Sequence, residues 1–245
     1  STVTPKVLAE IGVSFPGYTR NSGSQPGVSK VPFTPEWYAT AGRQDITRGT
    51  TTTASTPETG TYNFRYMVIS SMQYVTGSHA LKAGVQWHIG QTWNMANANA
   101  DLVQRTRDGV PDSVIVYNTP TRLYALMGAD LGIYLQDSWT LKRLTINAGI
   151  RFEYFNSSSQ AKAVEAGRFV PARSFPEIAD IPNWMNAAPR LGVVYNLTGD
   201  AKTAVKGSVS KYNRNFTTDF ANRYNPLVLQ SDTRNWSDCD FLAGT

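Results

Sequence analysis

The chain has 245 residues, of which 41% are hydrophobic and 17% charged, a charged share below the roughly 25% of soluble domains; no run of about 18 apolar residues exists, which excludes a membrane-spanning helix. The net charge of +5 is spread thinly, and without a Lys/Arg block or a recognisable motif it gives no signal for a nucleic-acid partner. A single cysteine, Cys239, excludes an internal disulfide and any metal site built on paired cysteines.

The chain opens STVTPKVLAEIGV. No basic segment leads into an apolar core, so no signal peptide is expected, and both ends read as cut from a longer chain. Thr4 to Phe15 alternates apolar and polar residues and predicts a strand that stops at Pro16-Gly17. Tyr18 to Gly60, with its TTTTASTPETG segment, has loop composition. Tyr62 to Thr76 alternates again, and Gly77-Ser78-His79 predicts a tight turn into a second strand.

Two long strands are expected next, Ala80 to Arg107 and Asp112 to Trp139, meeting at a tip of Asp108-Gly109-Val110-Pro111. Each exceeds the usual ~3–10 residues of globular proteins, and pairing is expected to break at Asn97–Asp101 and Pro120, which are poor strand material. The short turn Thr140–Arg143 leads to a strand from Leu144 to Asn156. A loop follows from Ser157 to Ala187, then a short strand Arg190–Leu197, a turn Thr198–Lys202 and a weaker strand Thr203–Phe216.

Short and long connections alternate. In an antiparallel meander, alternate turns lie at opposite ends, so every short turn falls at one end and every long loop at the other. Outer-membrane barrels have this asymmetry, with short periplasmic turns and long external loops. Leu144 to Tyr154 covers ten residue steps, ~34 Å of strand. A tilt of about 45° projects this to ~24 Å, near the ~25 Å apolar band of such barrels. The fold expected is therefore all-β: an antiparallel, up-and-down transmembrane β-barrel segment of about seven long strands, incomplete as a barrel. It occupies 1–245 as one domain.

Alternation then assigns faces. Leu81, Val85, Trp87, Ile89, Leu131, Ile133, Leu135, Leu144, Ile146, Ile150 and Phe152 are expected to meet lipid. Lys82, Gln86, His88, Asp130, Gln136, Asn147, Arg151 and Glu153 are expected to face the lumen. Trp139 and Tyr154 would mark the inner and outer interfaces, where a ring with a polar tip suits the headgroup zone. Asp137 falls on the apolar side, so it belongs at the rim or beside a bulge.

Three segments, YVTGSHALKAGVQW, IYLQDSWTLKRLTINAGIRFEYF and APRLGVVYNLTGDAKTAVKGSVSKY, resemble the barrel of TonB-dependent outer-membrane receptors. The closest likeness is to the subgroup that carries an N-terminal carboxypeptidase-regulatory-like domain. Gln136-Asp137-Ser138-Trp139 followed by Leu144 to Arg151 is one strand–turn–strand of that pattern, and Pro189–Gly192 through Gly199–Ala204 is another. The resemblance implies a barrel of about 22 strands closed by its own plug. It also implies a bacterial outer-membrane location and active uptake energised through an inner-membrane TonB complex. This chain departs from that pattern in strand number and in lacking a plug, so it reads as an internal barrel fragment, with open edges that would be costly in lipid.

No cofactor motif and no catalytic motif is present, so no enzyme activity and no cofactor are expected. His79 and His88 are the only histidines and, in sequence, lack a nearby carboxylate, which makes a poor metal site. Asp232, Asp238 and Asp240 read as a solvated acidic loop more readily than as a cation site. Cys239 among them would have a raised thiol pKa. Arg151 and Glu153 are placed to pair. Trp184, Trp236, Tyr224 and Asn225, in the external loops, are suited either to gripping a sugar or siderophore or to plain packing. The substrate stays open among a siderophore, an oligosaccharide and a peptide-like molecule. Rival readings are a small outer-membrane barrel or adhesin of another type, and a secreted, soluble β-sandwich binding carbohydrate.

Overall fold

In the computed structural model, residues 2–54, 57–199, 202–214 and 217–236 are described. The chain begins with a small hairpin, β1 (Thr2–Thr4) and β2 (Val7–Ser14), and β3 (Gly17–Ser22) continues the line of β2. The stretch expected to be loop then forms α1 (Pro35–Ala39), β4 (Gly42–Asp45) and β5 (Thr50–Thr52). Long strands β6 (Glu58–Thr76) and β7 (His79–Asn97) come next. The tip is its own hairpin, β8 (Leu102–Arg107) and β9 (Val110–Tyr117). After it run β10 (Thr121–Leu141), β11 (Leu144–Ser159), β12 (Lys162–Val164), β13 (Arg173–Phe175), β14 (Asn183–Asn196) and β15 (Ala204–Ser210). Helix α2 (Asp219–Arg223) and β16 (Ser231–Asn235) end the described chain.

One nine-stranded antiparallel sheet carries the order β1-β2-β6-β7-β10-β11-β14-β15, with β3 beside β2 along β6. Counting β2 and β3 as one stave interrupted at Phe15-Pro16, seven staves stand side by side, with the three-residue β1 at the edge as an eighth strand. Among the described residues no strand joins β15 to β1 or β2, so the sheet is open, a segment of an incomplete barrel.

Several expected boundaries shift. The two 28-residue strands are each two strands, because the chain leaves the sheet at Ala98–Asp101 and Asn118–Pro120, where pairing was expected to break. The tip turn is only Asp108-Gly109, both at positive φ, as a tight hairpin requires, so Val110 and Pro111 belong to β9. The strand expected from Arg190 begins seven residues earlier, at Asn183, because its pairing with β11 continues up to Asn156↔Asn183. The strand expected to reach Phe216 pairs only over Ala204–Ser210, and Phe216 lies outside the described residues.

Three long loops and the tip co-fold rather than run free. Strands β16-β9-β8-β4-β5 form a second, five-stranded sheet, with β4 and β8 parallel. Trp37, Ala41, Ala100, Leu102 and Val116 make its core. Thr34 caps α1 by accepting a hydrogen bond from the Trp37 N–H, and Pro35 stands in the first turn, where a missing N–H costs nothing. A smaller cluster of Leu123, Val164 and Leu227 ties the loops after β11 and β15 to the top of β10.

Buried polar side chains stitch this layer to the sheet. The Asn99 amide donates to the Val28 carbonyl (2.8 Å) and the Thr40 hydroxyl (2.8 Å), and its oxygen accepts from the Lys30 N–H (3.2 Å). The Asp101 carboxylate accepts from the Thr119 hydroxyl (2.5 Å) and the Arg168 N–H (2.7 Å). Burial pushes the Asp101 carboxyl above its ordinary pKa. Gly167 packs so closely there that a Cβ would overlap the Thr119 carbonyl.

The candidate lumen wall and the face behind it

Register fixes which residues share a face of the large sheet. On one face, Val85↔Ile133↔Phe152 and Ala83↔Leu135↔Ile150 form continuous rows, joined by Trp87↔Leu131↔Tyr154 above and Trp139↔Ile146 below. Leu81, Ile89 and Leu144 belong to the same face. No protein layer covers its middle: Val85, Trp87, Ile133, Leu135, Ile150 and Phe152 are all exposed.

Asp137 stands on this face opposite Leu81 and Ala148. It resides at the rim: its carboxylate lies 2.6 Å from His79 Nδ1, and the His79 ring stacks on Trp139 at 5.3 Å. The strand is regular around it. The bulge of β10 is at Gly128, where two residues face one on β7, and below it Asp130 pairs with His88.

The opposite face is polar. Lys82, Gln136, Gly149 and Arg190 form one row across four strands. One row up, Tyr134 lies across Gly84, and Arg151 faces Tyr134. The next row is Gln86, Gly132, Glu153 and Asn186. The Arg151 guanidinium donates to Glu153 in its own strand (2.8 Å) and to Gln86 two strands away (2.8 Å). It crosses β10 over Gly132, where any Cβ would collide with it. Asn213 donates to the second Glu153 oxygen at 2.8 Å, so each carboxylate oxygen has a partner. Lys82, Gln86, Tyr134, Gln136, Arg151, Glu153 and Arg190 bound a polar recess of about 410 Å³.

Of the eight residues expected on this face, Gln86, Arg151 and Glu153 form one network and His88 and Asp130 another, the imidazole Nδ1 lying 3.0 Å from the carboxylate. Lys82 and Gln136 sit opposite each other, while Asn147 is one row below, opposite Ser138 and outside both networks. The expectation that the histidines lack a carboxylate is overturned, since each has an aspartate across the β7–β10 pairing. Among the described residues no group of three metal-ligating side chains occurs. Tyr134, Arg190 and Asn213 were not singled out from the sequence. Alternation from Leu135 and Leu191 gives the first two, whereas Asn213 comes from a loop and has no pattern.

Two of the loop aromatics, Trp184 and Tyr224, meet through Phe220: Trp184 is edge-on to it at 5.3 Å, and it leans on Tyr224, which stays exposed. Asn225 is buried, donating to the Ser159 hydroxyl at 2.6 Å, and the Trp236 N–H donates to the Asp112 carbonyl. Asp232 pairs with Arg234 at 3.0 Å; Asp238, Cys239 and Asp240 lie outside the described residues.

A family model described as TonB dependent receptor-like, beta-barrel matches residues 13–237. No curated protein and no solved structure matches the chain. The family match runs from the last two residues of β2 through β16 and takes in the loop layer, and the antiparallel sheet with one apolar and one polar face is the wall that such a barrel requires. The chain belongs to the TonB-dependent receptor-like β-barrel family.

Proposed function

We propose that this chain is part of the barrel wall of a bacterial outer-membrane receptor that takes up its substrate actively, energised through TonB. The observation that carries the reading is the apolar face, uncovered through its middle and interrupted by a charge only at the rim. Burying one large aliphatic or aromatic side chain is worth ~1.5–3 kcal/mol. A dozen left half exposed to water would forgo on the order of 10 kcal/mol, as much as the ~5–15 kcal/mol net stability of a typical domain. Lipid supplies the missing partner. A β-sandwich would instead need a second sheet over this face, and the second sheet here is built on the loops beyond the strand ends.

In this reading Leu81, Val85, Trp87, Ile89, Leu131, Ile133, Leu135, Leu144, Ile146, Ile150 and Phe152 meet lipid. Trp139 and Tyr154 stand at the two interfaces. Lys82, Gln86, His88, Asp130, Gln136, Asn147, Arg151 and Glu153 line the lumen, against the plug of the intact receptor or the passing solute. The second sheet is the external loop layer. The substrate classes open to such a receptor are a siderophore, an oligosaccharide and a peptide-like molecule.

The test uses the full-length gene product, tagged and fractionated, with cross-linking to the periplasmic part of TonB. Recovery in the outer membrane with a TonB cross-link is the expected result; recovery as a soluble, secreted protein would overturn the reading. Growth of a deletion strain on iron chelates, oligosaccharides or peptides would then choose among the substrate classes.

A further inference from the structure

The polar face of the wall changes character at the Gly128 bulge. Below it, Gln86, Arg151, Glu153 and Asn213 spend their hydrogen bonds on one another. Above it, the extra residue puts Leu123, Ala125 and Met127 opposite Asn94, Thr92 and Gly90, on the lumen side. This upper face has two unlike halves. On β10 and β11 it is filled: Leu123, Ala125, Met127, Ser157 and Ser159 are all buried. The segment after β15 covers them. Leu227 packs on Leu123, Asn225 donates to the Ser159 hydroxyl, and Phe220 meets Trp184. This external loop therefore folds inward, against the lumen side of the wall.

On β3, β6 and β7 the same face is left open. A cleft of about 680 Å³ lies between it and the inward loop, within the ~300–1,000 Å³ of small-molecule sites. Tyr18, Asn63 and Thr92 form one row of its floor, and Thr61 and Asn94 the next. Thr218 and Asp219 stand on the loop side, where the Thr92 and Thr218 hydroxyls meet at 2.9 Å. Gly90–Asn94 follows directly on Ile89, the outermost of the lipid-facing residues on β7. The stacked Tyr62–Trp93 pair marks the outer side of these same rows. The cleft is thus at the outer mouth of the lumen, where an incoming solute arrives.

Its hydrogen-bonding groups are unspent. Among the described residues, the side chains of Asn63, Arg65 and Asp219 have no hydrogen-bonding or ionic partner. Asn94 engages only its oxygen, which accepts from the Thr61 hydroxyl at 2.9 Å, and keeps both amide N–H groups. Amide, guanidinium and carboxylate are planar groups that can meet two adjacent hydroxyls at once. The Tyr18 ring, more than half exposed, offers a flat apolar face to the C–H side of a sugar ring. One cation, Arg65, and one carboxylate, Asp219, leave the lining neutral, whereas an anionic chelate would call for an excess of cations. A peptide would call for a free strand edge, and β6 and β7 are paired on both sides.

We propose that the solute taken up is a neutral oligosaccharide and that the wall grips it in this cleft. The inference rests on the outer-membrane receptor reading above and chooses among its substrate classes. The experiment uses the full-length receptor purified from outer membranes in detergent. Panels of neutral oligosaccharides, ferric chelates and tripeptides are added, and binding is read by calorimetry. A neutral oligosaccharide should bind, with an affinity that salt leaves unchanged. Tyr18→Ala and Asn63→Ala should each weaken that binding roughly tenfold, while Arg48→Gln, outside the cleft and paired with Asp108, has no effect.

Oligosaccharide binding that survives both substitutions would overturn the site. Binding of ferric chelates or tripeptides alone, or of no member of the three panels, would overturn the substrate class. If Tyr18→Ala fails to insert, Asn63→Ala carries the test, since that side chain has no partner to lose among the described residues. A wild-type receptor absent from the outer membrane would refute the outer-membrane reading itself, a result distinct from these.

Discussion

The wall and the loop layer are held together by different physics. The wall is a ladder: β6, β7, β10 and β11 pair over most of their length, and each side chain's face is set by parity alone. Its outward side chains touch little of the protein and rely on the solvent outside. The loop layer has no such repeat. It depends on a small core around Trp37 and on a few buried polar anchors, Asn99, Asp101 and Asn225, each satisfied by partners far away in sequence. A ladder tolerates a local fault but not the wrong solvent; an anchored layer tolerates the solvent but not the loss of an anchor.

That contrast can be pressed by mutation. Trp37→Ala should cost ~3–5 kcal/mol, all of it in the loop layer. Limited proteolysis of the inserted protein should then cut within 23–57 while the strands stay protected; cleavage of the strands would mean the two regions are one cooperative unit. Ile150→Arg, in mid-band, should cost ~2–4 kcal/mol in a urea titration of folding into lipid. The same change at Val110, exposed at the tip, should stay within ~0.5 kcal/mol. Equal costs would erase the distinction between lipid and water. Asn99→Ala leaves the Lys30 N–H and three loop oxygens, of Val28 and Thr40, without that partner and should cost ~1–3 kcal/mol, read as faster amide exchange at Val28–Thr40.

The smallest effect is on pH and has two signs within the same layer. The Arg48 N–H, with those of Thr47 and Gly109, holds the Asp45 carboxyl below its ordinary value. Its contribution is present above the unfolded pKa of 3.8 and is lost as pH falls through the lower folded value. Asp101 is raised by burial, so its protonated form is favoured on folding. That stabilisation is full below 3.8 and is lost as pH rises through the folded value. Amide exchange should therefore slow around Asp101 and Arg168 on mild acidification, and quicken around β4–β5 only at lower pH. Asp101→Asn should abolish the first response and Asp45→Asn the second.

The wall was legible because a period of two survives any loop inserted between strands. The His–Asp pairs were not within reach. Above the bulge, paired residues on β7 and β10 are equidistant from Asp108-Gly109, as in Gly90↔Met127 and Ala96↔Thr121. Reflecting the chain about that tip would set His88 opposite Ala129, and only the extra residue at the Gly128 bulge brings Asp130 across from it. The Gly128 bulge was not legible, since one glycine in a strand has no unique meaning. The loop layer was not legible for a deeper reason. Its strands are three to eight residues long and pair between loops far apart in sequence. Its anchors are single Asn and Asp residues that, read locally, signal turns.

The central claim is that the apolar face of the wall meets lipid. The most direct measurement is fluorescence of the full-length protein in bilayers of brominated phospholipid, with tryptophan kept at position 87 or position 37 only. Strong quenching of Trp87 and none of Trp37 is the result predicted. Trp87 emission unchanged by bromine would contradict the account, because the face would then be covered by protein or water.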